Sequence, residues 1–110
     1  DDMLKCSGVY VSPVEVENAL IGHPAVREAG VVGHRDAHGL EKTLAYVELN
    51  AGYEASDALA AAIISHCRGV IAEFKAPRRV VFAAELPRTE TGKIRRAALR
   101  QWAAEQESQA

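Results

Sequence analysis

The order of apolar and polar positions divides the chain into short strands and helices. From Lys5 to Val11 the residues favour extended structure, and Ser7-Gly8 in the middle predicts a bent strand or hairpin. Ser12-Pro13-Val14-Glu15 predicts a helix start. Ser12 is the N-cap, Pro13 stands where a missing N–H costs nothing, and Glu15 reaches back to complete a capping box. Val14, Val16, Ala19, Leu20 and Ile21 carry this helix to a stop at Gly22-His23-Pro24. Val26 to Val32 reads as a strand ending near Gly33-His34, and Asp36 to Gly39 as a turn. Thr43 to Leu49 alternates, with Ala45, Val47 and Leu49 on one face and Leu44, Tyr46 and Glu48 on the other, until Asn50-Ala51-Gly52 breaks it.

Ser56-Asp57 caps a second helix in which Leu59, Ile63 and Cys67 recur at i+4 and Gly69 lies near the end. Lys75-Ala76-Pro77 predicts a turn, Arg79 to Ala84 a strand, and Leu86 to Gly92 a loop. A third helix is expected from Ile94 to about Glu105, with Ile94, Ala98 and Trp102 on its apolar face. There is no regular βαβ alternation. The expected fold is α+β: a small three-stranded sheet flanked by helices, with an N-terminal β-hairpin.

Composition narrows the class. At 110 residues, 48% apolar and 25% charged, the chain is an ordinary globular composition of one domain's size. Its longest apolar runs, 58–65 and 80–84, fall well short of the roughly 20 residues of a membrane span, so no membrane partner is expected. Cys6 and Cys67 stand 61 residues apart. A disulfide between them is unforced, and two free thiols in a reducing, cytoplasmic compartment are expected. The chain opens Asp-Asp-Met with no signal peptide, as a piece of a longer protein would.

The net charge of −2 hides an asymmetry. Lys75, Arg78, Arg79, Arg88, Lys93, Arg95, Arg96 and Arg100 are opposed within 75–100 only by Glu85 and Glu90, a local charge of +6, whereas residues 1–74 carry −6. A basic back implies an anionic partner. With a pI near 6.1 and no aromatic residues interleaved among the arginines, that partner is not expected to be nucleic acid. His23, His34, His38 and His66 match no metal-ligand spacing, and the cysteines form no CxxC pair, so no metal site is expected.

Gly92-Lys93 resembles the end of a phosphate-binding P-loop, but Pro87 occupies the place of the first glycine and Ile94 that of the Ser/Thr. What survives is Thr89-Glu90-Thr91-Gly92-Lys93, expected to be a mobile loop. Gly92 gives its backbone freedom to approach a ligand, and Lys93 is a point charge suited to phosphate or carboxylate.

Two segments together are more specific. Asp1-Asp2-Met3-Leu4-Lys5-Cys6-Ser7-Gly8-Val9-Tyr10-Val11-Ser12-Pro13-Val14-Glu15-Val16-Glu17 and Leu86-Pro87-Arg88-Thr89-Glu90-Thr91-Gly92-Lys93-Ile94-Arg95-Arg96 resemble signature segments of the adenylate-forming superfamily. Its members include acyl- and aryl-CoA synthetases, firefly luciferase and nonribosomal peptide synthetase adenylation domains. The resemblance covers essentially the whole chain as the C-terminal small domain, and the first segment looks most like benzoate-CoA ligases.

Several expectations follow from the resemblance. Such enzymes use ATP and Mg²⁺ to convert a carboxylic acid to an acyl-adenylate, then pass the acyl group to CoA. The small domain rotates against a large N-terminal domain between the two half-reactions. Lys93 is then the catalytic lysine of adenylation, with Thr91 and Gly92 supporting its loop. Asp1 and Asp2 lie at the hinge, and Ser7 and Gly8 on the segment lining the pantetheine tunnel. Phe74, Lys75, Arg78 and Arg79 are candidate contacts for the adenine or phosphates of CoA. Ala76 departs from the pattern, which often has another basic residue there. The isolated domain is expected to be inactive and to bind no cofactor alone. A lysine acetyltransferase acting on Lys93 would silence adenylation by removing its charge. Two alternatives remain: the C-terminal part of a carrier-protein-dependent adenylation domain, and a stand-alone CoA- or partner-binding module without catalysis.

Overall fold

The computed structural model describes residues 3–6 and 8–109, with 107–109 described by backbone alone. Strands β1 (Leu4–Cys6) and β2 (Val9–Val11) pair as an antiparallel hairpin, Cys6 opposite Val9. Helix α1 (Pro13–Ile21) follows, with the Glu15 N–H donating to Ser12 Oγ at 3.4 Å as an N-cap requires. The rest of the expected capping box does not form. The Glu15 carboxylate instead accepts from Lys75 Nζ at 3.0 and 3.3 Å, because an ammonium offers a stronger, charge-assisted bond than a backbone N–H.

Strands β3 (Val26–Arg35) and β4 (Glu41–Leu49) are antiparallel, and β5 (Arg79–Phe82) joins β4 in parallel, giving the order β3-β4-β5. Helix α2 (Asp57–Val70), capped by Ser56, lies in the connection between β4 and β5, which a short 3₁₀ turn at Glu73–Lys75 completes. This is one βαβ unit that the local pattern did not reveal, since parallel pairing depends on where a long connection returns.

Central strand β4 is covered on both faces. Ala45 and Val47 pack with Val16 and Leu20 of α1 and Ile63 and Cys67 of α2. Leu44 and Tyr46 pack on the other face with Leu86 and with Leu99 and Ala103 of α3 (Arg96–Gln109). Each large side chain so buried contributes about 1.5–3 kcal/mol. The fold is thus α+β, with a three-stranded sheet flanked by helices and an N-terminal hairpin.

Helix α3 differs from expectation in start and face. Ile94 pairs with Arg88 in an isolated antiparallel bridge, so the helix begins at Arg96. Leu99 and Ala103 form its buried stripe, with Ile94 and Trp102 only partly covered. Gly30 decides this packing: a Cβ there would lie 2.3 Å from Leu99 Cδ1 and 2.9 Å from Ile94 Cγ2. Gly30→Val is therefore expected to lower stability by about 1–3 kcal/mol through overpacking. Gly69→Ala in α2, where the added carbon meets nothing within 4 Å, should be neutral or stabilising. Urea unfolding of the two variants checks the contrast.

His23 and His66 meet edge-on beside the end of α1, ring centroids 5.4 Å apart. The Ala25 N–H donates to His23 Nδ1 at 3.0 Å, and His66 Nε2 donates to Ala19 O at 3.1 Å. Burial, and secondarily His66, hold the His23 pKa below its ordinary 6.5. The unfolded chain therefore takes up this proton first as pH falls. Stability should decline below about pH 6.5 until the folded-state pKa is passed. His23→Asn keeps an acceptor for the Ala25 N–H, and should shrink the difference between urea midpoints at acidic and neutral pH.

Cys6 and Cys67 are both free. Burial pushes the Cys67 thiol up to about 11, while Cys6 Sγ lies 3.4 Å from Thr43 Oγ1. Among the described residues no helix is long and apolar enough to cross a membrane.

Candidate functional site

The segment carrying Lys93, expected to be a mobile loop, forms a hydrogen-bonded hairpin turn. The Thr89 N–H donates to Lys93 O at 2.8 Å and the Gly92 N–H to Thr89 O at 2.9 Å. Thr89 Oγ1 accepts from the Lys93 N–H at 3.1 Å and lies 3.0 Å from Thr91 Oγ1. Gly92 has φ +86°, a left-handed conformation disfavoured for residues with a Cβ, and this permits the reversal. Composition showed the glycine and the polar residues but not their mutual bonds. The Lys93 side chain is exposed, and its ammonium has no hydrogen-bond or ion-pair partner among the described residues.

Carboxylates that the sequence did not single out hold the base of this turn. Glu28 and Glu48 stand directly opposite each other in the β3–β4 register. Like charges so placed repel, and Arg88 lies between them, with Nη2 3.0 Å from Glu48 Oε1 and 3.8 Å from Glu28 Oε2. On the far side of Lys93, Arg96 makes a bidentate pair with Glu17 of α1. Glu48 was legible only as a carboxylate in phase with Leu44 and Tyr46. That phase becomes informative once α3 covers the face and leaves the Glu48 side chain 10% exposed.

A second feature lies at the other end of β4. The hairpin packs there through Cys6 on Thr43, and the Lys5 N–H donates to Glu41 Oε1 at 3.3 Å. Cys6, Val9, Lys42, Thr43, Phe74, Ala76 and Arg78 line a narrow cleft of about 140 Å³. Gly8, at φ +81° in the hairpin turn, is exposed, with nothing within 4 Å of where its Cβ would be.

Of the expected CoA contacts, Phe74 and Arg78 share this cleft. Lys75 does not line it; its ammonium lies on Glu15, 5.8 Å from the Phe74 ring centroid. Arg79 pairs with Leu44 in register and sits on the α3 face, beside the 34–39 turn. Ala76 is buried, and Lys42, which the sequence reading passed over, joins Arg78 as a basic lining residue. Asp1, Asp2 and Ser7 lie outside the described residues.

Thr43 and Glu48 are five residues apart on one strand, so they point to opposite faces and stand about 17 Å apart along it. The Lys93 turn and the cleft beside the hairpin therefore occupy opposite ends and opposite faces of one sheet. Among the described residues no three His, Cys, Asp or Glu side chains converge as metal ligands would.

This domain, with an exposed lysine turn at one end and a glycine hairpin at the other, has well-defined relatives. Residues 15–93 match the AMP-binding enzyme C-terminal domain, and the chain belongs to that family. It is 51% identical over 100 residues to the benzoate–CoA ligase of Thauera aromatica, covering 91% of this chain and 19% of that protein. It is 45% identical over 100 residues to 4-hydroxybutyrate–CoA ligase 1 of Metallosphaera sedula, covering 91% and 18%. The crystal structure of an acyl-CoA synthetase from Brucella canis superposes with a TM-score of 0.91 at 40% identity, covering 97% of this chain and 20% of that one. The chain thus spans about a fifth of the length of these relatives.

Proposed function

We propose that residues 1–110 form the mobile C-terminal domain of an ATP-dependent carboxylate–CoA ligase whose acid is aromatic, such as benzoate. The observation that carries this reading is the placement of an exposed Lys93, unpaired among the described residues, on a clamped turn at the opposite end and face of the sheet from the cleft beside the hairpin. A domain so built can serve two steps in turn by presenting one end and then the other to a large domain in the same polypeptide. The 51% identity to a benzoate–CoA ligase supports the aromatic acid.

In the adenylation step Lys93 bridges the attacking carboxylate and the nucleotide phosphate. Its charge lowers their repulsion, and its fixed turn holds them in line. Magnesium bound with the ATP would offset the charge of its phosphates. In the thioester step the hairpin turns toward the acyl-adenylate, and Gly8 leaves room for the pantetheine arm. Phe74 offers a ring for the adenine of CoA, and Arg78 and Lys42 offer charge for its phosphates. Asp1 and Asp2 form the hinge, and Ser7 flanks the tunnel. By itself the domain has no ligase activity, and two free thiols fit a reducing cytoplasm.

The deciding experiment uses the full-length enzyme and a panel of aromatic and aliphatic acids. Acid-dependent pyrophosphate exchange and CoA-thioester formation are measured separately. Both activities, highest with an aromatic acid, are expected. Exchange followed by transfer only to a carrier protein, or no exchange with any acid, would overturn the reading.

Exposed Lys93 is also a substrate for a lysine acetyltransferase, and loss of its charge would stop adenylation. Mass spectrometry of the treated enzyme should show acetyl-Lys93 rising as exchange falls. Full modification with exchange unchanged rules this out.

A further inference from the structure

We infer that Arg88 and Arg96 are positioning residues for Lys93, acting through the buried carboxylates Glu48 and Glu17; this rests on the adenylation role proposed for that lysine. Among the described residues nothing holds the Lys93 ammonium itself, so its location comes from its backbone, and that backbone is fixed at two points.

On the incoming arm, Glu48 Oε1 accepts from the Leu86 N–H at 3.2 Å and from Arg88 Nη2 at 3.0 Å, while Arg88 Nη1 donates to Leu86 O at 3.3 Å. Arg88 and Leu86 are thereby locked to the end of the central strand. Removing the guanidinium would leave Glu28 and Glu48 facing each other, with Arg27 beside them. Its Nε is 3.6 Å from Glu48 Oε2, on a side chain 66% exposed.

On the outgoing arm, the Arg95 N–H donates to Pro87 O at 2.9 Å, and Arg96 Nε donates to Glu17 Oε2 at 2.9 Å. The same Glu17 oxygen accepts from the Val31 N–H of β3 at 2.8 Å, so one carboxylate ties α1, β3 and the start of α3 together. Arg96 stands in the first turn of α3, which holds no acidic residue, and a cation there opposes the helix dipole. That unfavourable placement is offset by the pair with Glu17. Both arginines thus serve one outcome, a fixed height and direction for the lysine between them.

The test uses the full-length ligase. It compares Arg88→Ala, Arg88→Lys and Arg96→Ala, each alone and combined with Lys93→Ala. Arg88→Ala should lower kcat for pyrophosphate exchange by about 10–100-fold, with KM for ATP changed by less than about 3-fold. Thioester formation from supplied acyl-adenylate should stay within about 3-fold, because it uses the other end of the domain. Arg88→Lys should recover part of the loss. In the Lys93→Ala background neither arginine change should lower exchange further, since both act through that side chain. Should Arg88→Ala not fold, Glu48→Gln takes its place, retaining an oxygen for the Leu86 N–H while discharging the pair.

Equal loss in both half-reactions, or losses that add to that of Lys93→Ala, would show that the arginines only hold the fold and would overturn the inference. Exchange unaffected by Lys93→Ala would instead overturn the role of the lysine, and the inference with it. A normal loss with Lys93→Ala beside unchanged Arg88→Ala would overturn the inference alone.

Discussion

Lys93→Ala in the full-length ligase should slow acid-dependent pyrophosphate exchange by about 10²–10³-fold, the range seen when one preorganised charge-stabilising group is removed. The fold should scarcely notice. The ammonium contacts nothing among the described residues, and the turn is held by the Lys93 backbone N–H and carbonyl, which alanine retains. Activity loss and unfolding are therefore separable at this position. Thioester formation from supplied acyl-adenylate should remain within about 3-fold of the parent, because the proposed function assigns that step to the other end of the sheet. Lys93→Arg should restore exchange only in part. Its planar guanidinium keeps the charge but not the compact geometry of an ammonium. Equal loss in both half-reactions would refute the division of labour between the two ends.

Gly8→Leu should have the reverse effect, lowering thioester formation by about 10–100-fold while exchange stays within about 3-fold. Two physical causes can produce such a loss, and the structure separates them. Gly8 has φ +81°, so any residue with a Cβ strains the hairpin turn by about 1–2 kcal/mol. Its Cβ position is otherwise open, with no atom of this domain within 4 Å, so a leucine side chain projects outward and not into the core. Gly8→Ala carries the same strain with a much shorter reach. Half-reaction kinetics of both variants decide the matter. A far larger loss with leucine assigns the effect to the tunnel, whereas equal losses assign it to the turn.

Much of the fold was legible because local chemistry decides it. Ser12-Pro13 and Ser56-Asp57 start their helices where capping physics places them, with Ser12 Oγ and Ser56 Oγ each accepting the N–H three residues on. The alternation from Thr43 to Leu49 marked a strand and correctly split its two faces. The Lys93 turn was legible as a segment rich in threonine and glycine, but the contacts that hold it were not. Its bonds to Glu48 and Glu17 join residues 40 and 79 positions apart, and no window of sequence contains both partners. Lys75 and Arg79 illustrate the same limit. Basic residues four positions apart read as one patch, yet a salt bridge to Glu15 holds the first, and the pleat of β5 turns the second to the opposite face from the cleft.

By itself the sequence determined the α+β class, the element order, the starts of the first two helices and the exposed lysine behind a glycine, since each depends on periodicity, capping or backbone freedom within a few residues. Only the tertiary structure decided that β5 runs parallel to β4, that Leu99 packs over Gly30, and that the two candidate sites stand at opposite ends of one sheet. It also decided that buried carboxylates fix the lysine turn. Those outcomes depend on where distant segments meet. There, burial turns an unremarkable glutamate such as Glu48 into a charge that must find its arginine.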